Sequence, residues 1–345
     1  MKVLVTGNYK QSYNRIRIML SGLKKHGIDL IEYNYEKRDS RTSKRLSELS
    51  LECDVVFLPS FTHPDVPFVK KNVSKPVVFD PLVSRYLTKV FDRRTVWKYS
   101  PRAYKNFLKD KRAFRYSDLI IADTESHKEY YCINFKLDPE KVVVIPVGVD
   151  TDMFFPIEKD AGSEKVIVGF YGTFIPLHGI EKILLAANEL KDEKNILFEI
   201  YGTGPLFNKI FRKAVTTGTP NVEFKGWVEY DNLNSIINNT DICLGIFGES
   251  LKTELVIPNK IYHYAACSKP IITRDTKGIR EIFTHGKNII LSSNDPSELA
   301  SSIHRLASDP DLRNSIGSNA YSLVSGTYNE MIIADKLIKA FEKVI

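Results

Sequence analysis

Short apolar runs alternate along this chain with longer segments whose apolar positions recur every third or fourth residue. The runs at 3–5, 29–33, 54–58, 76–79, 118–122 and 142–145 are flanked by polar turns and read as buried parallel strands. Helical stretches fall between them: Tyr13 to His26, where Ile16, Met19, Leu20 and Leu23 share one face, and Ala103 to Tyr116, rich in Lys and Arg. The stretch from Phe155 to Ser163 is polar, contains Gly and Pro, and breaks the periodicity as an interdomain linker would. The alternation then restarts, with strands at 166–171, 197–201, 222–224, 242–246, 270–273 and 288–291 and helices near 179–190, 205–215, 230–238, 259–266 and 296–307. A βα unit repeated in two blocks predicts an α/β protein of two tandem Rossmann-like, doubly wound parallel-sheet domains. The expected division is 1–157, 158–328 and an amphipathic C-terminal helix at 329–345 that returns to the first domain. A ligand is expected outside the carboxyl ends of the strands, where the two sheets face each other.

Composition narrows this picture slightly. With 345 residues, 43% hydrophobic and 26% charged, the chain is neither disordered, collagenous nor disulfide-dense. Its net charge of +7 favours anionic partners without choosing among nucleotide phosphates, nucleic acid and acidic headgroups. Nucleic acid ranks last, because no aromatic-basic recognition motif is present. Cys53, Cys132, Cys243 and Cys267 are far apart and form no C-x-x-C pair, which argues for reduced thiols in a cytosolic protein and against a zinc site. The start, MKVLVTGNYK, enters a strand within two residues and has no signal-peptide pattern, and no apolar run approaches the ~20 residues of a membrane span. The expected location is cytoplasmic, with a peripheral seat on the inner membrane face as an extension of that expectation.

Chemistry concentrates where strands end. Gly172 and Thr173 follow the run 166–171, and Gly202, Thr203 and Gly204 follow the run 197–201, with Pro205 next; such turns can offer backbone amides to an anion, or need Gly for geometry alone. The second turn has two close glycines and lacks the third of a dinucleotide fingerprint, which disfavours NAD and FAD. Gly226, Trp227 and Val228 end a third strand, so Trp227 could present a flat face to a base or fill the core. Further on, a polar loop carries Glu249, Lys252 and Glu254, and a helix opens at Pro258, Asn259 and Lys260. Pro at a helix start leaves the amides of Asn259, Lys260 and Ile261 free, and a diphosphate suits that positive helix end.

In this order and spacing, 144–150 (VIPVGVD) with Phe154, 171–174 (YGTF) with His178-Gly179, 202–205 (GTGP), 226–228 (GWV), and 257–260 (IPNK) through Lys269-Pro270 resemble the retaining glycosyltransferases of family 4, across essentially the whole chain. The resemblance implies the two-domain GT-B fold, a nucleotide diphosphate-sugar as co-substrate held by the C-terminal domain, an acceptor held by the N-terminal one, and no metal ion or other cofactor. It implies that Trp227 and Val228 meet the base, that Gly172, Thr173 and the amides at Asn259 and Lys260 meet ribose and diphosphate, and that Glu281 contacts the ribose or steadies its loop. Gly202, Gly204 and Pro258 belong to the same donor side, and Gly7, His63 and Arg85 to the acceptor side. The strand end at 76–80 usually presents a histidine beside the anomeric carbon; here it carries Asp80. The chain departs from the family's Glu-x7-Glu pattern: the second Glu is His263, the first falls on Leu255 with Glu254 adjacent, and the usual Arg and Lys are Thr173 and His178.

These departures assign the missing cation to Lys252 or Lys260, since a leaving diphosphate needs its developing charge neutralised. Asp80 would orient the sugar or accept a proton, or else cap a turn beside Pro81, and Glu254 would hold sugar hydroxyls or support oxocarbenium charge. The expected reaction is transfer of a sugar with retention to a hydroxyl of a glycan, polysaccharide or lipid-linked sugar. The alternatives are a non-catalytic nucleotide-sugar-binding partner, suggested by His263, and a nucleotide-sugar epimerase. A run of basic residues from Lys70 to Arg115, interleaved with Tyr86, Phe91, Trp97, Tyr99, Tyr104 and Phe107, reads either as an anionic-membrane contact or as a solvated face with aromatics turned to the core.

Overall fold

A computed structural model describes residues 1–158 and 165–345. The expected linker therefore lies partly outside the described residues. Twelve strands are described: β1 Lys2–Gly7, β2 Asp29–Asn34, β3 Val55–Leu58, β4 Val77–Phe79, β5 Leu119–Ala122, β6 Val142–Val144, β7 Val166–Tyr171, β8 Ile196–Tyr201, β9 Val222–Gly226, β10 Ile242–Leu244, β11 Ile271–Arg274 and β12 Ile290–Ser292. They form two six-stranded sheets, ordered β2-β1-β3-β4-β5-β6 and β12-β11-β10-β7-β8-β9. Every pairing within them is parallel. In each sheet the order reverses beside the first strand of its block, which is the doubly wound arrangement the βα alternation predicts.

The chain divides into two compact units, Met1–Asp150 with Tyr328–Ile345, and Thr151–Thr327. The first unit ends at Asp150 because the segment after it packs onto the second, where Phe154 is 1% exposed and stacks on His263. Central strands β3, β4 and β5 are buried on both faces, as continuous apolar runs require. Edge strand β2 has no fully buried residue, only exposed and half-buried ones, so the uniform burial expected of every strand fails at the sheet's border.

The helix Glu330–Glu342, capped by Asn329 through the Ile332 amide, packs on the helix Asn14–Lys25 of the first unit. The approach is close: a Cβ on Gly22 would stand 2.2 Å from the Glu330 carbonyl oxygen, so only glycine fits there. Lys25 Nζ closes the contact on Glu330 Oε1 at 2.7 Å. The four cysteines are unpaired; three are buried and Cys132 is half-buried. Among the described residues no helix is long and apolar enough to cross a membrane.

Candidate functional site

In the second unit the ends of β7, β8 and β9 enclose a cavity of about 210 Å³, lined by Tyr171, Gly172, Thr173, Tyr201, Gly202, Trp227, Val228, Tyr230 and Leu233. Five of the residues singled out from sequence meet there: Gly172, Thr173, Gly202, Trp227 and Val228. Trp227 is 64% exposed, with its indole N–H on Glu229 at 3.0 Å, so its ring is available to a ligand rather than spent on the core. Tyr171, Tyr201, Tyr230 and Leu233 were missed as site residues. Their signal was an aromatic residue directly before each glycine turn at 171 and 201, which also reads as an ordinary strand residue.

The glycines serve geometry more than anion binding. Gly172 and Gly202 lie at φ +149° and +130°, and a Cβ on Gly202 would stand 2.0 Å from the Gly172 carbonyl oxygen. Their amides are not free, which selects the geometric one of the two readings these turns allowed. Gly172 N–H donates to the Tyr201 carbonyl at 3.0 Å and Gly202 N–H to Gly226 at 2.6 Å, because strand pairing continues into the turns. Gly204, also at positive φ, packs against Phe174 beyond the cavity lining.

Lys260 is the unusual group. It sits in the first turn of the helix Asn259–Ala266, 4% exposed, and its Nζ lies 3.6 Å over the Phe170 ring with no hydrogen-bond partner. A Cβ built on Gly172 would be 2.9 Å from that nitrogen and 2.9 Å from His178 Cε1. Burial holds the Lys260 amine well below the usual lysine range. The His178 pKa is also held well below the usual histidine range, by burial and then by the Lys260 charge, and its Nδ1 pairs with the Thr173 carbonyl. Pro258 is the N-cap of this helix, half-buried beside Asn259. The Ile261 amide, expected to be free, donates back to the Pro258 carbonyl at 3.0 Å in a tight first turn.

His263 is 2% exposed and built into an aromatic stack. Its ring lies 3.8 Å from Phe154 at 12°, and Nδ1 meets the Tyr171 hydroxyl at 2.6 Å. Burial lowers its pKa to about 3, so it is a neutral ring that positions the cavity residue Tyr171. Glu254 is paired with Arg274 at 2.6 Å, Lys252 is buried on the short helix Leu251–Leu255, and Glu281 is exposed at the end of the helix Lys277–Arg280.

In the first unit Asp80 is fully buried at the end of β4. Its carboxylate accepts from Arg15 Nε at 2.7 Å, Ser60 Oγ at 2.9 Å and the Leu82 amide at 3.1 Å. Arg15, fully buried as well, also donates to the Ile145 carbonyl at 3.0 Å. His63 is buried with neither ring nitrogen hydrogen-bonded, and Arg85 Nε is similarly unpartnered. Gly7, at φ +123°, is crowded by Thr62. The aromatics of the basic stretch divide: Tyr86 packs on Phe91 and Phe107 and Phe107 stacks on Phe135, whereas Trp97, Tyr99 and Tyr104 are 70%, 73% and 63% exposed.

Comparisons with known proteins agree with this architecture. Over 99% of the chain the fold superposes on Anabaena HepE in complex with UDP and glucose (TM-score 0.77, 15% identity, all of that chain). It also superposes on sucrose-phosphate synthase from Thermosynechococcus elongatus (TM-score 0.77, 13% identity, 99% of this chain and 98% of that one). In sequence it is 26% identical to an uncharacterized glycosyltransferase of Methanocaldococcus jannaschii over 62% of this chain, and 24% identical to a D-inositol 3-phosphate glycosyltransferase of Streptomyces bingchenggensis over 59%. Those matches span 58% and 48% of the relatives' own lengths. Residues 6–153 match Glycosyltransferase Family 4 and residues 154–323 match Glycosyl transferases group 1. With one match on each sheet-bearing half and the GT-B fold beneath both, the chain belongs to the GT-B glycosyltransferases of group 1 and family 4.

Proposed function

We propose that the protein transfers a sugar from a nucleotide diphosphate-sugar to an acceptor hydroxyl of a glycan, polysaccharide or lipid-linked sugar, with retention of anomeric configuration. The observation that carries this reading is an aromatic cavity of base-and-ribose size beside a buried, unpartnered lysine nitrogen. Trp227 and Val228 take the base, and Tyr171, Thr173 and Tyr230 surround the ribose. Lys260 and the amides of Asn259 and Lys260, ahead of the Ile261 amide that bonds Pro258, face the diphosphate at the positive helix end.

As the bond from the anomeric carbon to the diphosphate oxygen breaks, its electron pair goes to the diphosphate and Lys260 neutralises that charge. The acceptor oxygen bonds the same face of the carbon, and its proton passes to the departing phosphate oxygen. Catalysis then rests on electrostatics and positioning. Asp80, with its oxygens committed to Arg15, Ser60 and Leu82, holds the strand end in place and takes no part in proton transfer, and Glu254 acts through Arg274. The protein sits on an anionic membrane face through Trp97, Tyr99, Tyr104 and the neighbouring lysines and arginines.

A thermal-shift screen across nucleoside diphosphates and their sugars tests the donor site, since a ligand bound only by the folded state raises the midpoint. One nucleotide series is expected to stabilise the native protein and to lose that effect in Lys260→Met. No shift with any nucleotide overturns the reading. Selective binding without release of nucleoside diphosphate for any acceptor favours a binding partner instead, the reading that His263 in place of Glu supports.

A further inference from the structure

The helix Pro101–Tyr116 carries Arg102, Lys105, Lys109 and Arg112 at spacings of three and four, which places them along one face. Two cavities of the first unit open on that face and share Lys109 as a wall. One, of about 320 Å³, is closed by His63, Phe68, Lys71, Lys109 and Arg112; the other, of about 400 Å³, by Lys89, Arg102, Lys105 and Lys109. Among the described residues none of the six cations is ion-paired, although nearby cations are: Lys70 holds Asp118 at 2.5 Å and Arg38 holds Asp65 at 2.7 Å.

Burial, then the charges of Arg85, Lys105, Lys89 and Arg38, lower the Lys109 pKa, so its surroundings are already crowded with positive charge. Asp110, a buried carboxylate on the same helix, is engaged by Ser84 Oγ at 2.7 Å and the Tyr86 amide at 2.9 Å, and burial raises its pKa to about 6. His63, 1% exposed and lining the first cavity, has both ring nitrogens unpartnered; Asp110 Oδ1 is 3.7 Å from Nε2, too far for a hydrogen bond. Burial lowers the His63 pKa to about 3, so it stands on the cavity wall as a neutral ring, and the charge that awaits an anion comes from the cations around it that hold no carboxylate. Pro64, Pro67 and Phe68 make the rest of that wall apolar, which suits an organic group carrying the anion better than a hydrated inorganic ion.

We propose that these two cavities form a binding site for the phosphate or diphosphate of a phosphorylated acceptor, with Lys105 and Lys109 as its central ligands and His63 as its inner wall. This rests on the acceptor half of the glycosyl-transfer reading. The same chemistry arises from a soluble phosphate ester or from a lipid headgroup, and the test separates the two.

Isothermal titration of the full chain with inorganic pyrophosphate is expected to lose affinity about tenfold or more in Lys105→Ala/Lys109→Ala, and to keep it in the Lys105→Arg/Lys109→Arg variant. Arg41→Ala/Lys44→Ala, which removes the same charge from the helix Ser40–Leu51, is expected to bind as the native protein does. Equal loss in both alanine pairs, or no loss in either, overturns the proposal. Vesicles of phosphatidylcholine with phosphatidic acid, retained by the native protein and released by Lys105→Ala/Lys109→Ala, assign the phosphate to a lipid. No retention together with intact pyrophosphate binding assigns it to a soluble ester. If nucleoside diphosphates bind nowhere while pyrophosphate still depends on Lys105 and Lys109, the donor reading falls and this site stands.

Discussion

The Lys260 amine nitrogen lies 3.6 Å above the Phe170 ring, buried and without a hydrogen-bond partner, at the edge of the Gly172 turn. The ring face partly offsets its desolvation, and among the described residues no carboxylate does. The group is therefore poised for an anion that arrives with the ligand.

Lys260 should gain charge on ligand binding. Its pKa is held well below 10.5 by burial in the free protein, and a bound diphosphate raises it, so binding takes up protons and tightens as pH falls between those two pKa values. Titration calorimetry in buffers of different ionisation enthalpy measures the uptake; identical apparent enthalpies would contradict it. The unfolded chain binds a proton here that the folded one does not, so folding stability attributable to Lys260 rises with pH toward the unfolded value. Lys260→Met should flatten that slope, raise the melting midpoint and lower kcat by about 10²–10³.

Trp227→Ala should separate binding from stability. The ring is 64% exposed, so unfolding free energy should change by about 0.5 kcal/mol or less, while nucleotide affinity falls by about 1–3 kcal/mol if a base stacks there. Urea melts and nucleotide titrations of the same preparation decide it. An unchanged affinity would remove the base from this cavity.

Asp80→Ala removes the carboxylate that pairs with buried Arg15 at 2.7 Å. The expected cost is about 3–5 kcal/mol in a denaturant melt, with much of it recovered when Arg15 is replaced by Met in the same chain. Turnover per folded molecule should stay near the native value. A large fall in kcat at unchanged stability would instead make Asp80 a participant in the chemistry.

His263→Glu places a carboxylate in a site that cannot take it. Stacked on Phe154 and bonded to Tyr171, the position would bury a carboxylate, whose pKa would rise. At neutral pH the loss should be about 3 kcal/mol or more. It should shrink as pH falls through the raised folded pKa, because the protonated acid is tolerated there. Melting midpoints across that pH range provide the check, and a variant as stable as the native protein at pH 7 would refute the account.

Much of the architecture was legible in the residue pattern, for a simple reason. Buried parallel strands need continuous apolar runs such as 55–58 and 119–122, and the helices between them need a three- and four-residue stripe, so both periods are written in the chain. The glycines at 172 and 202 and Trp227 were legible for a related reason: a strand-end turn at positive φ excludes most side chains, and a tryptophan just beyond a strand has few places to go.

What the pattern could not supply was pairing. Lys252 and Lys260 are equivalent as letters, and only the fold puts Lys260 over Phe170 with its nitrogen unsatisfied. Asp80 read as a catalytic carboxylate because Arg15, sixty-five positions away, is invisible to any local window. His263 read as a missing Glu until Phe154 and Tyr171 closed around it. Likewise, the basic run from Lys70 to Arg115 read in the sequence as a membrane contact or a solvated face, and packing decided which cations met a carboxylate, as Lys70 does, and which were left lining a cavity. Periodicity is a property of neighbours along the chain, so the sequence determined it alone. Desolvation and charge compensation depend on neighbours in space, which the tertiary structure chose.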